Sequence, residues 1–499
     1  MKKLSCALLS LLFVFPAKAM NCKKLFCGLF AAGVSIAAIY GTVKAVHNHP
    51  SRMRWDLQDK AIDVDSLCFD NAHTDEKFLW GVATSAYQVE GEDGATIKPY
   101  NQWQRCEEKE IEIDGKTCIP VPHVSGNACE HFSRYKEDIQ LMKKLGFKAF
   151  RFSISWGKVE PREGEFNQEV IDHYEDVCRE LVANGIKPVV TLHHYTHPCW
   201  FEDLGSFERE ENIQYFVRFC KKVFRQLHPH IHLWFTFNTF VGYALPGFSQ
   251  GMKPPFKKDL ALAITVLKHV LEAHVHVYHA LKEISPTSKI GIYKNIFQLD
   301  PWCLLNPLDR LYCALGNSIS NDSIYNFFTT GVFKLWIPCK VSMNYKNEWA
   351  IGALDCVGLN YYSGAYAKNF KIIPRPECIP TKNSRYTIYP EGFYRAIKTI
   401  DQKLAKPLAV PIYITENGIA ARNDKERSFF YKSYLYALSK AMQEGVDVRG
   451  YMTWSLMDNY EWSSGYDVQY GICHVDFKTQ ERTLKKGTEF LIDVVNSFV

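Results

Sequence analysis

The sequence predicts an α/β protein, a single (β/α)8 barrel preceded by a hydrophobic N-terminal targeting or anchor region. Three observations carry this reading. Eight short apolar runs alternate with amphipathic stretches from about residue 78 onward. Many of these runs are apolar on both faces, as strands buried in a parallel sheet are. No low-complexity linker interrupts them, so residues 77–499 read as one domain, joined by a connector at 55–76 to an N-terminal segment at 1–54.

The N-terminal segment comes first in the chain. Lys2 and Lys3 precede an uncharged run over 4–17, and Ala17-Lys18-Ala19 has the small-x-small form of a cleavage site, which together make a signal-peptide pattern. A second uncharged stretch, 25–43, is long enough to span a bilayer. It predicts membrane association, and the chain is expected to be membrane-bound or exported. Five lysines lie before the span and Lys44, Arg52 and Arg54 after it, so the flanking charges leave its orientation open.

The strand runs follow in order at 78–87, 149–156, 188–194, 233–238, 289–295, 357–362, 411–416 and 450–456. Between the second and third, Val170, Tyr174, Val177 and Leu181 recur at helical spacing, and Gly185 ends that helix as a C-terminal cap does. A second helix near 427–444 carries Phe430, Tyr434, Ala437 and Ala441 on one face. Strand and helix alternating in this way are the signature of the barrel.

Composition narrows the function. With 47% hydrophobic and 23% charged residues, the 499-residue chain can bury a large core and is not disordered. The net charge of +5 is local: eight basic residues and no acidic one precede Asp56, and removing these eight from 59 leaves 51 against 54 acidic residues, or −3. A basic nucleic-acid surface is therefore excluded. Sixteen cysteines are too few in so long a chain for a disulfide scaffold, and the absence of any CxxC pair argues against structural zinc. Cys106 and Cys118 bracket a turn-like Asp114-Gly115 and could bridge in an oxidising compartment; buried, reduced thiols are the general expectation.

Barrel active sites sit at the C-terminal ends of the strands. Arg151, His193-His194, Asn238, Asn360-Tyr361-Tyr362, Thr415-Glu416 and Trp454 occupy six of these ends, and the last strand runs into Asp458-Asn459-Tyr460-Glu461-Trp462. A lone His or Asn at a strand end is usually a satisfied loop residue, but six ends converging on one mouth point to chemistry. A sugar ring needs donors and acceptors for vicinal hydroxyls and an aromatic plate for its C–H face. Gln88, His194, Asn238 and Glu461 offer the first, and Trp454 or Trp462 the second. A carboxylate beside an arginine stays ionised, so Glu416 near Arg151 could attack an anomeric carbon. An Arg–Glu ion pair that merely ties two strands is the alternative.

Four segments resemble the motifs of family 1 glycoside hydrolases, the β-glucosidase family. They are Phe78-Leu79-Trp80-Gly81-Val82-Ala83-Thr84-Ser85-Ala86-Tyr87-Gln88-Val89-Glu90-Gly91, Arg151-Phe152-Ser153-Ile154-Ser155-Trp156, Tyr413-Ile414-Thr415-Glu416-Asn417-Gly418 and Trp454-Ser455-Leu456-Met457-Asp458-Asn459-Tyr460-Glu461-Trp462. The similarity covers residues 77–499 in the family's order. It implies a retaining β-glycosidase without metal or organic cofactor. By the resemblance Glu416 is the nucleophile, with Arg151 and Tyr362 as its polar neighbours. Gln88, His194, Asn238, Glu461 and Trp462 would bind the non-reducing sugar, with Trp454 as its platform. Members acting on 6-phosphorylated sugars replace the glutamate of the last motif, so Glu461 implies an unphosphorylated β-glycoside ligand.

One departure stands out. The family's fourth-strand motif reads Thr-Phe-Asn-Glu-Pro, and its glutamate is the general acid/base; this chain reads Thr236-Phe237-Asn238-Thr239-Phe240. Tyr195 also stands where a tryptophan usually follows the histidine. A threonine hydroxyl cannot deliver a proton near neutral pH. Two functions are therefore expected from the residues: a β-glycosidase slowed, or specialised for activated leaving groups, and a pseudoenzyme that keeps the sugar pocket for binding.

Overall fold

The computed structural model describes residues 49–57, 60–113 and 116–498. The chain divides into two compact units, Met1–Trp55 and Asp56–Val499. The described part of the first is a single 3-10 turn, Pro50–Arg52, with His49 Nδ1 accepting from the Ser51 amide. The signal-like segment and the span expected at 25–43 lie outside the described residues.

In the second unit eight parallel strands close a barrel. They are β1 (Leu79–Ala83), β2 (Ala149–Ser153), β3 (Lys187–His193), β4 (Leu233–Phe237), β5 (Ile290–Asn295), β6 (Cys356–Asn360), β7 (Ile412–Asn417) and β8 (Val448–Trp454). Each pairs with its sequence neighbours, and β8 returns to β1 with Leu79 opposite Gly450. This is the architecture expected from the alternating runs, but the first two runs are too long. β1 stops at Ala83 and a short helix, Ala86–Val89, follows; β2 stops at Ser153 and Trp156–Val159 is helical. Ala86, Tyr87, Ile154 and Trp156 are buried beyond the strand ends, so the apolar signal continues past them and alone cannot show where a strand ends.

Three helices show why the coat forms. Helix α1 (Gln168–Ala183) buries Val170, Tyr174, Val177 and Leu181, and the chain leaves it through Gly185 at φ +72°, a conformation glycine adopts without steric cost. Helix α2 (Leu260–Ile284) is long and apolar enough to cross a membrane, yet most of it is buried against the rest of this unit. Helix α3 (Asp424–Gln443) is capped by Asn423, which accepts from the Glu426 amide at 3.0 Å, and buries Phe430, Tyr434, Ala437 and Ala441. Before β1, Leu57, Ile62, Leu67 and Phe69 are buried, and Phe69 meets Trp80 edge-on at 4.8 Å and Phe498 at 5.1 Å.

The barrel interior is filled rather than open. Leu79, Ala149, Val189, Leu233, Phe235, Tyr293, Cys356, Tyr413 and Met452 form one buried cluster. Tyr293 stacks on Phe235 with centroids 4.0 Å apart. It has room because β6 carries glycine at 358, where a Cβ would come within 2.3 Å of the Tyr293 ring. That ring is the floor on which the site is built. Cys106 and Cys118 are free thiols, and six of the thirteen cysteines among the described residues are buried. Residues 111–113 and 116–118 pair antiparallel.

Candidate active site

A local irregularity in β7 aims the central carboxylate. Tyr413 belongs to the interior cluster, so regular alternation would point Thr415 inward and Glu416 away from the lumen. The β6–β7 register slips between Leu359, opposite Ile414, and Asn360, opposite Glu416. A bulge of this kind re-aims side chains next to a site. Thr415 Oγ1 donates to Asn360 Oδ1 at 2.7 Å, while Glu416 also turns to the barrel mouth and Asn417 bonds the Tyr361 carbonyl on the outside.

Glu416 is held at both oxygens. Arg151, rising from β2, donates from Nη1 to Oε1, and the Tyr362 hydroxyl donates to Oε2 at 2.8 Å. Arg151 is fully buried, lies 4.0 Å above the Tyr293 ring and also donates to the Thr415 carbonyl at 3.1 Å. Its Nη2 donates to Asn238 Oδ1 at 2.7 Å, and Asn360 Nδ2 donates to the same oxygen at 2.9 Å. These two donors fix the Asn238 amide, whose Nδ2 then faces His194 Nε2 at 2.9 Å and the Thr239 hydroxyl at 3.3 Å. Burial, then the Glu416 charge, pushes the Tyr362 hydroxyl well above its usual range, so it remains a donor.

The aromatic and polar residues expected to bind a sugar are gathered around this network. His194 lies nearly parallel to Trp454 at 5.8 Å and to Trp462 at 6.1 Å. Burial, then Arg151, drives the His194 imidazole well below its usual range, so it is neutral. Gln88, on the short helix after β1, donates to Glu461 Oε2 at 3.2 Å, Asn459 Oδ1 at 3.1 Å and the Tyr460 carbonyl at 2.9 Å. Burial pushes the Glu461 carboxyl up to about 7, with Lys253 pulling it back and Glu416 pushing it further. Gln88, Arg151, His194, Asn238, Thr239, Tyr362, Glu416, Trp454, Glu461 and Trp462 therefore meet at one mouth, whereas His193 packs among His197, Phe207 and Phe237, and Tyr361 against Phe393 and Tyr434.

Thr239 follows Asn238 in the left-handed region, φ +34°, and immediately precedes the short helix Phe240–Ala244 without a side-chain capping hydrogen bond. Its hydroxyl contacts the Tyr195 hydroxyl. Tyr195 and Trp462 also have positive φ, +65° and +51°. Such conformations cost on the order of 1–3 kcal/mol each for residues with a Cβ, most for a β-branched one, and they cluster at functional sites.

Lys253 is the residue that the sequence did not single out. Its ammonium lies 3.9 Å from the centre of the Tyr195 ring and 6.0 Å from that of Trp462. The only signal is isolation: it is the sole Lys, Arg, Asp or Glu between Arg225 and Lys257. Tyr386, stacked on Tyr362 at 5.5 Å, is a second wall residue with no motif to mark it. Elsewhere, ligand atoms of Glu210, His269 and Glu272 lie within 4.8 Å of one another, but Lys268 bridges the two carboxylates at 2.8 and 3.2 Å and supplies their countercharge.

The comparisons with known proteins agree with this geometry. The model of glycosyl hydrolase family 1 matches residues 71–498. Beta-glucosidase A of Thermotoga maritima is 30% identical over 459 residues, covering 85% of this chain and 97% of that protein. The 6-phospho-beta-galactosidase of Clostridium acetobutylicum is 30% identical over 466 residues, covering 83% and 94%. The structure of a beta-glycosidase from Pyrococcus horikoshii superposes with a TM-score of 0.75 at 32% identity, covering 85% of this chain and 95% of that one. A closed eight-stranded barrel whose strand ends carry this constellation, matched along most of its length, belongs to glycosyl hydrolase family 1.

Proposed function

We propose that the protein is a retaining β-glycosidase for unphosphorylated sugars that works without the family's acid/base carboxyl and is specialised for leaving groups that need little protonation. One observation carries the reading: the Glu416 carboxylate is gripped at both oxygens by Arg151 and Tyr362 inside the cup of Gln88, His194, Asn238 and Trp454. In that role Glu416 attacks the anomeric carbon, and Arg151 and Tyr362 orient it. Asn238, His194, Gln88 and Glu461 take the sugar hydroxyls, and Trp454 and Trp462 take the ring face. Glu461 supports an unphosphorylated sugar, because it would meet a phosphate with like charge.

Retaining hydrolysis ordinarily needs a second carboxyl about 5–5.5 Å from the first. Thr239 stands at that position of the family's motif and has none. General acid assistance is worth about 10²–10⁴-fold, so without a substitute donor alkyl and sugar leaving groups would depart slowly while acidic phenols would not. A dinitrophenyl 2-deoxy-2-fluoro-β-glucoside tests the reading. The expected result is release of one equivalent of dinitrophenolate and a covalent sugar on the peptide containing Glu416. Saturable binding of glucose analogues with no adduct would instead establish the second reading, a sugar-binding pseudoenzyme, which the loss at position 239 favours.

The N-terminal residues support a further proposal, that 25–43 hold the chain at a membrane and that it is membrane-bound or exported. Full-length protein made in cells should stay in the membrane pellet through an alkaline carbonate wash. Recovery of the intact chain from the wash would overturn the anchor.

A further inference from the structure

Resting on that glycosidase reading, we propose that the ammonium of Lys253 delivers the proton that the side chain of Thr239 cannot. Lys253 lies on the loop at 250–259, between the π-helical turn Leu245–Ser249 and α2, after β4 and the short helix that Thr239 precedes. It is half-buried. Among the described residues its ammonium makes no hydrogen bond and no ion pair; its contacts are the faces of Tyr195 and Trp462. A cation so placed is held by ring quadrupoles and keeps all three N–H groups free. Tyr195 in turn touches Thr239 through its hydroxyl. One phenol ring therefore separates the ammonium from the side chain that replaces the acid, and an unbranched four-carbon stem can cover that span.

The other titratable groups of the cup are poorly suited to the task. His194 is neutral for the reasons given above. Burial raises the hydroxyls of Tyr195, Tyr362 and Tyr386, the last to about 12, so none of them exchanges its proton near neutrality. Glu416 is occupied by Arg151 and Tyr362. Glu461 is tied to Gln88 beside Trp462, on the side that receives the sugar hydroxyls. Lys253 faces Glu461, Glu416 and Arg385, and it is shifted to about 8, chiefly by burial, with the two carboxylates opposing that shift and Arg385 adding to it. A donor that titrates near the working pH is what general acid–base catalysis uses.

The chemistry balances in two steps. In the first, a Glu416 oxygen forms a bond to the anomeric carbon as the bond to the glycosidic oxygen breaks. The Lys253 ammonium gives its proton to that oxygen, so the aglycone leaves as an alcohol and Lys253 is left as an amine. In the second, the amine takes a proton from a water that attacks the anomeric carbon. The bond to Glu416 breaks, the sugar leaves with its configuration retained, and the ammonium and carboxylate are restored.

The test compares the wild-type chain with Lys253→Met and Lys253→Arg on β-glucosides whose leaving groups run from dinitrophenol to a simple alcohol. Lys253→Met should lose about 10²-fold or more on the alkyl glucoside and less than about threefold on the dinitrophenyl one, which steepens the dependence on leaving-group acidity. The alkaline limb near pH 8 in kcat for the alkyl glucoside should vanish with it. Lys253→Arg keeps the charge but not a transferable proton, so it should fail on the alkyl glucoside as the Met variant does. Arginine restoring the rate, or a uniform loss across the series, would overturn the proposal by reducing Lys253 to a binding charge. Sugar binding and melting temperature report whether each variant is folded, and Lys253→Gln replaces any that is not. If the fluoroglucoside labels Glu416 but Lys253 variants keep the wild-type leaving-group dependence, only this inference fails; if wild-type Glu416 is never labelled, the glycosidase reading fails first.

Discussion

On the Lys253→Met background, which lacks the proposed proton donor, Thr239→Glu is expected to raise kcat/KM for alkyl β-glucosides by about 10²–10⁴-fold while changing the dinitrophenyl glucoside far less. The position is prepared for a longer acidic side chain. Asn238 is fixed by Arg151 and Asn360, and the backbone of residue 239 is already in the left-handed region, where a β-branched residue is at its worst. Glutamate relieves the β-branching and carries a carboxyl where the hydroxyl ends. The neighbour that must give way is Tyr195, whose hydroxyl contacts Thr239 and lies 2.8 Å from where a Cβ on Gly242 would be. Adding Tyr195→Phe removes that hydroxyl and keeps the experiment decisive if the substitution at 239 alone is blocked. The gain should be read as kcat for the alkyl glucoside, since protonation of the leaving group acts on the transition state rather than on binding. A folded variant that still labels at Glu416 yet gains nothing on either background would mean that residue 239 does not face the scissile oxygen.

What was legible in the sequence divides along a physical line. The barrel was readable because eight buried strands leave eight apolar runs, and the site because polar residues at their ends have no reason to be there in a packed core. The orientation of Glu416 was not: alternation from Tyr413 points it the wrong way, and only the slipped register of β7 against β6 turns it inward. Lys253 was hidden for a different reason. It belongs to a loop, and where a loop folds back depends on what it packs against, here the rings of Tyr195 and Trp462. Ala86 and Tyr87 misled because they are buried in the mouth and extend the apolar signature of the strand past its end at Ala83.

Lys294→Met should stabilise the fold by on the order of 3–5 kcal/mol at pH 7 and below, and by much less at pH 10. Lys294 is on β5 and only 1% exposed. Its hydrogen bond goes to the Asn295 carbonyl, and no carboxylate is paired with it among the described residues. Burial alone lowers it from an ordinary lysine value to about 7. The sign follows from proton counting. Between pH 7 and about 10 the unfolded chain holds a proton on this lysine that the folded chain does not, so the folded state gains stability as pH rises through that window. Below pH 7 both states hold the proton, and the whole cost of a buried cation is present. Methionine is unbranched, of similar length and apolar, so it fills the same volume without that cost. Urea melts of both proteins at pH 6.5 and pH 9.5 isolate the term, because every other titrating group is common to the pair. A stability difference that is absent at pH 6.5, or that does not narrow as pH rises, would mean that Lys294 keeps its charge satisfied inside the folded protein.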